Sequence, residues 1–136
     1  MATPLHTICY VSTADSTITN DNVQVVFDGV IEKNLSRSIT GILLYSQGNF
    51  MQIMEGEPDG LFKLYDSIKE DPRHHHVIEI LSSPINHRIF ENYQTGFSIV
   101  NDPQSRFKLQ VYLRWIEENF DGAIKKRAEI IRPFIY

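Results

Sequence analysis

Two apolar stretches, residues 39–45 and 50–55, are separated only by Ser46-Gln47-Gly48-Asn49. The length and composition of that connection suit a hairpin between two paired strands. This hairpin is the feature that most narrows the fold, because its neighbours alternate with it in period. Residues 5–11 are a short apolar run bounded by Pro4 and Ser12, which reads as a strand with His6, Ile8 and Tyr10 on one face. Residues 20–33 carry Val23, Val26, Phe27, Val30 and Ile31 at helical spacing, so they form an amphipathic helix. Thr19 or Asn20 is placed to cap its start, and Asn34 stands at its end.

After the hairpin, Glu55-Gly56-Glu57-Pro58-Asp59 breaks the sheet. Residues 60–70 read as a second helix with Leu61, Leu64, Tyr65 and Ile68 on one face, ended by Asp71-Pro72. Residues 77–81 are a fourth strand. Residues 93–100 are a fifth, with Tyr93, Thr95, Phe97 and Ile99 alternating. The order is βαββαβ and one more strand, an α+β ferredoxin-like arrangement with two helices on one face of a mostly antiparallel sheet. The first and third strands are expected as parallel neighbours at its centre. That places Tyr10 and Gln52 on adjacent strands.

Asn101-Asp102-Pro103 closes this core, so the expected division is a core of residues 1–102 and a C-terminal helical extension of residues 103–136. Residues 104–120 carry two apolar stripes, one of Leu109, Leu113, Ile116 and Phe120 and one of Phe107, Val111 and Trp115. Two stripes imply contacts on two sides: the open sheet face, and either the short helix of residues 123–131 beyond Gly122 or a partner chain.

Composition excludes more than it selects. A net charge of -4 gives no general attraction to nucleic acid or to anionic membranes. The basic run Lys125-Lys126-Arg127 is short and reads as a solvated helix face. No apolar stretch approaches the ~18 residues of a membrane span. Met-Ala-Thr-Pro-Leu-His is no signal peptide, which makes a cytoplasmic location the default expectation. With Cys9 as its one cysteine, the chain has no disulfide framework and no thiolate metal cluster.

Three polar residues sit awkwardly in this scheme. Gln52 puts an amide in the middle of the apolar strand Phe50-Met51-Gln52-Ile53-Met54. A buried amide without partners costs roughly 1–3 kcal/mol, so Gln52 needs hydrogen bonds. Tyr10 is an interior aromatic with a polar tip. Asn34 reads first as a helix-terminal residue in the left-handed region. All three can converge between the sheet and the first helix. His74-His75-His76 reads as a polar loop rather than a metal site, since adjacent histidines on extended chain diverge. No G-x-G-x-x-G, Walker A or G-x-S-x-G segment is present, and no catalytic set emerges.

The block Ile39-Thr40-Gly41-Ile42-Leu43-Leu44-Tyr45-Ser46-Gln47-Gly48-Asn49-Phe50-Met51-Gln52-Ile53-Met54-Glu55-Gly56 resembles the I-T-G-x-L-x-Y-x-x-G-x-F-x-Q-x-L-E-G block of the BLUF family of flavin-based blue-light sensors. Asp71-Pro72-Arg73-His74 resembles that family's D-x-R-H stretch, and the likeness runs from about Leu5 to Val100. The resemblance implies a non-covalently bound flavin, with FAD expected and FMN or riboflavin as alternatives. It assigns the photoactive pair to Tyr10 and Gln52 and the flavin contact to Asn34. Val26, Phe50 and Ile68 would flank the ring, and Asp71 and Arg73, or His74, would hold its pyrimidine side and the entrance. Light would move an electron and a proton from Tyr10, and Gln52 would exchange its hydrogen bonds. The changed bonds would then bias the last strand and the C-terminal helices.

Two positions depart from the family pattern. Tyr93 and Thr95 stand where a Trp-x-Met segment is usual, which leaves the route of the signal open, and Ser67 stands where many relatives are basic. The resemblance implies a sensor, not an enzyme, with output through a homo-oligomer or a separate effector protein. The rival reading is a ferredoxin-like domain that binds a small ligand or a protein without photochemistry. An acylphosphatase-type enzyme ranks last, because Ser12-Thr13-Ala14-Asp15 supplies no arginine.

Overall fold

A computed structural model describes residues 4–19, 21–93 and 96–135. Five strands, β1 (Leu5–Ala14), β2 (Thr40–Ser46), β3 (Asn49–Gly56), β4 (His74–Ile85) and β5 (Phe97–Val100), form one sheet in the order β4-β1-β3-β2-β5. Helices α1 (Val23–Ser36) and α2 (Pro58–Glu70) join them in the expected α+β order. The chain divides into two compact units, one ending at Ile99 and the other beginning at Val100.

The hairpin forms as read. Gln47 and Gly48 both take positive φ, 51° and 80°, the backbone of a two-residue turn whose twist matches its strands. The turn fixes the register: Ser46 faces Asn49, Tyr45 faces Phe50 and Leu43 faces Gln52. β1 then pairs with β3 so that Tyr10 faces Gln52 directly. This pairing is antiparallel, not parallel as expected. The crossover through α1 leads from β1 to β2, and the tight hairpin reverses the chain, so β3 returns between them in the opposite sense.

Both helices cover the same sheet face. Val23, Val26 and Phe27 of α1 pack on Leu43, Tyr45, Phe50 and Phe97. Leu61, Leu64 and Tyr65 of α2 pack on Ile8, Tyr10 and Met54. The stripes read from helical period therefore face the sheet, with Val30, Ile31 and Ile68 half-buried at their edges.

Four local readings need correction. Helix α1 begins at Val23, later than expected, and no side chain caps it; Thr19 instead accepts from the Asp21 amide at 3.3 Å, and Asn20 lies outside the described residues. Asn34 keeps helical geometry, while Ser38 takes the left-handed position at φ 56°. His74-His75-His76 is not a loop but the start of β4, which lengthens that strand to 12 residues. As an edge strand β4 tolerates polar side chains, and backbone pairing of His74 with Ala14 and His75 with Thr13 supplies what hydrophobicity does not. The last strand starts at Phe97, not at 93: Tyr93 lies in a bend, Gly96 has φ 94°, and Thr95 lies outside the described residues.

The second unit holds α3 (Pro103–Asn119), α4 (Gly122–Ile131) and a 3-10 turn, Arg132–Phe134. Asp102 caps α3 by accepting from the Ser105 amide at 2.7 Å. Leu109, Leu113 and Ile116 are buried, as are Ala128 and Ile131 of α4. Arg132 closes the unit with a two-toothed pair to Glu117, Nε to Oε2 at 2.5 Å and NH2 to Oε1 at 3.2 Å. The other stripe, Phe107, Val111 and Trp115, is exposed. Among the described residues no helix is long and apolar enough to cross a membrane.

Candidate cofactor cleft between the helices

A cleft of about 630 Å³, counting its open mouth, is lined by residues of α1, α2, β1, β2 and β3. That is a size suited to a small molecule or to part of a cofactor. Val26, Val30, Leu43, Phe50, Leu64 and Ile68 make its walls apolar. Tyr10, Asn34 and Gln52 supply polar atoms from β1, α1 and β3, and Lys33, Ser67, Asp71, Arg73 and His74 complete the lining.

Tyr10 donates its hydroxyl proton to Gln52 Oε1 at 2.5 Å. The direct register of the two residues across β1 and β3 places both side chains on the helix face, so this contact is built into the sheet. Burial, first, and then the neighbouring Tyr65 push the Tyr10 phenol well above its ordinary pKa, so it holds its proton at neutral pH. Its ring lies 5.7 Å from that of Tyr65 and 6.0 Å from that of His74.

With its oxygen on Tyr10, Gln52 turns its nitrogen the other way. Gln52 Nε2 is buried and has no hydrogen-bond partner in the protein. The same is true of Asn34 Nδ2. These residues are 2% and 1% exposed, so water does not readily satisfy them. Two unmet amide donors on the wall of one apolar cleft is an expensive arrangement for a core, roughly 1–3 kcal/mol each. It fits a bound molecule that presents acceptor atoms along one edge. A flavin, with its carbonyl oxygens and ring nitrogens, answers that description, and the residues present fit it.

The mouth is organised by short-range pairing. Arg73 Nε donates to both oxygens of Asp71 at 3.0 Å, and its NH2 adds a bond at 2.5 Å to Oδ2. This hydrogen bond from Arg73 holds the Asp71 carboxyl below its ordinary pKa. His74 has both ring nitrogens engaged by protein: Nε2 lies 2.5 Å from the Ile68 carbonyl oxygen and Nδ1 lies 2.7 Å from Ser12 Oγ. A carbonyl can only accept, so Nε2 carries the proton. His74 therefore offers the cleft its ring rather than a free nitrogen.

Nine residues singled out from the sequence meet here: Tyr10, Val26, Asn34, Phe50, Gln52, Ile68, Asp71, Arg73 and His74. Tyr93 is not among the lining residues; its ring packs on Phe90 at 6.0 Å. Ser67, noted as a departure from the family pattern, also lines the cleft, whereas Val30, Lys33, Leu43 and Leu64 were not foreseen as lining. Leu43 was legible by counting back from the hairpin turn to its partner Gln52. Leu64 was legible as the i−4 neighbour of Ile68. Nothing in the sequence marked Lys33.

Comparison with known proteins points to one family. Residues 5–96 match the family model for BLUF, described as sensors of blue-light using FAD. The photoactivated adenylate cyclase subunit beta of Euglena gracilis is 30% identical over 119 residues, 87% of this chain and 14% of that protein. The corresponding subunit of Euglena longa is 32% identical over 117 residues, 85% of this chain and again 14% of that protein. The chain thus spans only a small part of these curated relatives. The solved structure of Klebsiella pneumoniae BlrP1 in its pH 8.0 calcium complex superposes with a TM-score of 0.76 at 26% identity, covering 96% of this chain and 34% of that one.

Proposed function

The chain belongs to the BLUF family of blue-light sensors that use FAD, and from that premise we propose how its own residues carry the response. It is a flavin-based blue-light photoreceptor. The observation that carries the rest is one carboxamide with two ends: Gln52 Oε1 on Tyr10 and Gln52 Nε2 unmet in the cleft.

Bound in the cleft, FAD supplies absorption of blue light and an excited-state acceptor for one electron. Asn34 Nδ2 and Gln52 Nε2, both without a partner in the protein, would hold it, and Val26, Phe50 and Ile68 would supply apolar contact. Asp71, Arg73 and His74 shape the entrance, and His74 does so by its ring. FMN or riboflavin would be held by the same Asn34 and Gln52 donors, since the flavin ring is common to all three.

Tyr10 is the source of the electron and the proton. Its hydroxyl already lies on Gln52 Oε1, so a proton released on oxidation of the phenol would leave along that bond and return when the electron does. A carboxamide has one accepting and one donating end. Turned end for end, Gln52 donates from Nε2 to Tyr10 Oη and offers Oε1 to the cleft. A phenol both donates and accepts, so both orientations keep a Tyr10–Gln52 bond. Gln52 is thus a two-state element, and light shifts its population. Nothing is consumed, and the response needs no substrate.

Residues 1–102 form the photosensor core in this reading, and residues 103–136 serve as the output extension. Output passes by protein contact, to a second copy or to a separate effector, through the exposed stripe Phe107, Val111 and Trp115. Purified protein is expected to be yellow, with an absorption band that moves slightly to the red in blue light and returns in the dark. Gln52→Leu keeps the flavin and loses the shift. A shift that persists in that variant would remove Gln52 from the switch.

A further inference from the structure

Glu55 follows Gln52 by three residues on β3, so its side chain leaves the sheet on the face opposite the cleft. It is 1% exposed. Its carboxylate accepts from the backbone amides of Ile89, at 2.7 Å to Oε2, and Phe90, at 3.1 Å to Oε1. Thr40, its direct partner on β2, donates to Oε1 at 2.9 Å. Arg88 closes the node: its NH1 donates to Ser38 O, Thr40 Oγ1 and Glu55 O at 2.8, 2.9 and 3.0 Å.

A second tie lies close by. The Gly41 amide donates to Gly96 O at 3.0 Å. Gly41 also lies so tightly on β3 that a Cβ there would stand 1.8 Å from Ile53 O. Residues 88–90 and Gly96 are thus both fastened to the β2–β3 pair, and Gly96 immediately precedes β5. A buried carboxylate is costly to desolvate, and its bonds must be made well for it to be tolerated. Here they are made by β2 and by residues 88–90, which the carboxylate joins to β3.

We infer that Glu55 is the positioning residue that couples β3 to the segment leading into β5, and so carries a change at Gln52 across the sheet. The inference rests on the Gln52 switch described above. When Gln52 changes its bonds, the short stretch of strand it shares with Glu55 adjusts. The carboxylate passes that adjustment to the Ile89 and Phe90 amides, and β5 follows. The route does not require Tyr93 to touch the cleft.

Hydrogen exchange of the FAD-loaded full chain, in darkness and under blue light, tests this beside the absorption spectrum. In the unsubstituted chain, light is expected to change exchange at Ile89, Phe90 and Phe97–Ile99 by about tenfold, the effect of roughly one net hydrogen bond. Glu55→Gln keeps the full red shift and reduces the change at Phe97–Ile99 to under about twofold. Thr40→Val removes one donor with little change of shape and reduces it by roughly threefold. A light-induced change of undiminished size at Phe97–Ile99 in either variant overturns the role of Glu55. So does an unsubstituted chain that shifts its spectrum with no change there. Absence of the red shift in the unsubstituted chain instead overturns the switch on which the inference stands.

Discussion

Tyr10, Asn34 and Gln52 come from three separate elements, and each is buried to within 3% of full exclusion from solvent. Their polar atoms divide into those the protein satisfies and those it leaves for a ligand. Tyr10 and Gln52 Oε1 satisfy each other, whereas Asn34 Nδ2 and Gln52 Nε2 do not find a partner. In the proposed function, removing Asn34 Nδ2 would therefore cost binding, since it breaks no internal pair of that atom. Asn34→Ala is expected to weaken FAD by roughly ten- to a hundredfold, the 1–3 kcal/mol of a buried hydrogen bond. Titration of the flavin-free variant with FAD measures this, and unchanged affinity would place the ring elsewhere. The awkwardness of Gln52 was visible in the sequence, because an amide in an apolar strand requires an explanation. That its two ends face different partners was not, since rotamer and partner are set by packing.

Among the elements, the β2–β3 hairpin is the most tightly specified. Its two-residue turn sets the register, and Gly41 lets β2 approach β3 with φ at +147° and no room for a side chain. Gly41→Ala would drive Cβ into the Ile53 carbonyl and is expected to lower stability by about 2–3 kcal/mol or more. Urea unfolding tests it, and a loss under about 0.5 kcal/mol would mean that β2 shifts freely. The junction of α2 with β4 is held more weakly. The Arg73 hydrogen bond keeps the Asp71 pKa below its ordinary value, so the stability it contributes is complete above about pH 4 and is lost as pH falls through the lowered value. Solvent screens the pair, whose side chains are 48% and 25% exposed, which limits the contribution to about 1 kcal/mol or less. Asp71→Asn should lower stability at neutral pH, and the difference from the unsubstituted chain should disappear in acid. A difference that stays constant with pH would show that the charge is not its source.

At the scale of the whole molecule, two compact units follow one another in the chain, and each has its own buried residues. The second leaves Phe107, Val111 and Trp115 65%, 52% and 49% exposed on one helix, with Trp115 stacked at 6.2 Å on Tyr112. An apolar stripe of this kind marks a contact surface in the proposed output. Val111→Glu is expected to weaken self-association or effector binding while leaving the red shift intact. Sedimentation in darkness and in light checks the first partner. A particle size that is unchanged by Val111→Glu and by light would exclude a second copy on this face.

The order of strands and helices, the two helix stripes and the presence of the hairpin were legible in the sequence. All of these follow from local period and from a turn that only a few residue types can form. The sequence also marked Tyr10, Asn34 and Gln52 as polar residues in need of partners, and all three line the cleft. Tertiary structure decided the sense and depth of the β1–β3 pairing, because strands far apart in sequence pair through backbone groups that every residue carries. It likewise decided that the three histidines join a strand, since pairing with β1 outweighs their polar composition. The Glu55 node was hidden for the same reason. A glutamate near a strand end looks solvated until the fold brings Thr40, Arg88 and the amides of Ile89 and Phe90 around it.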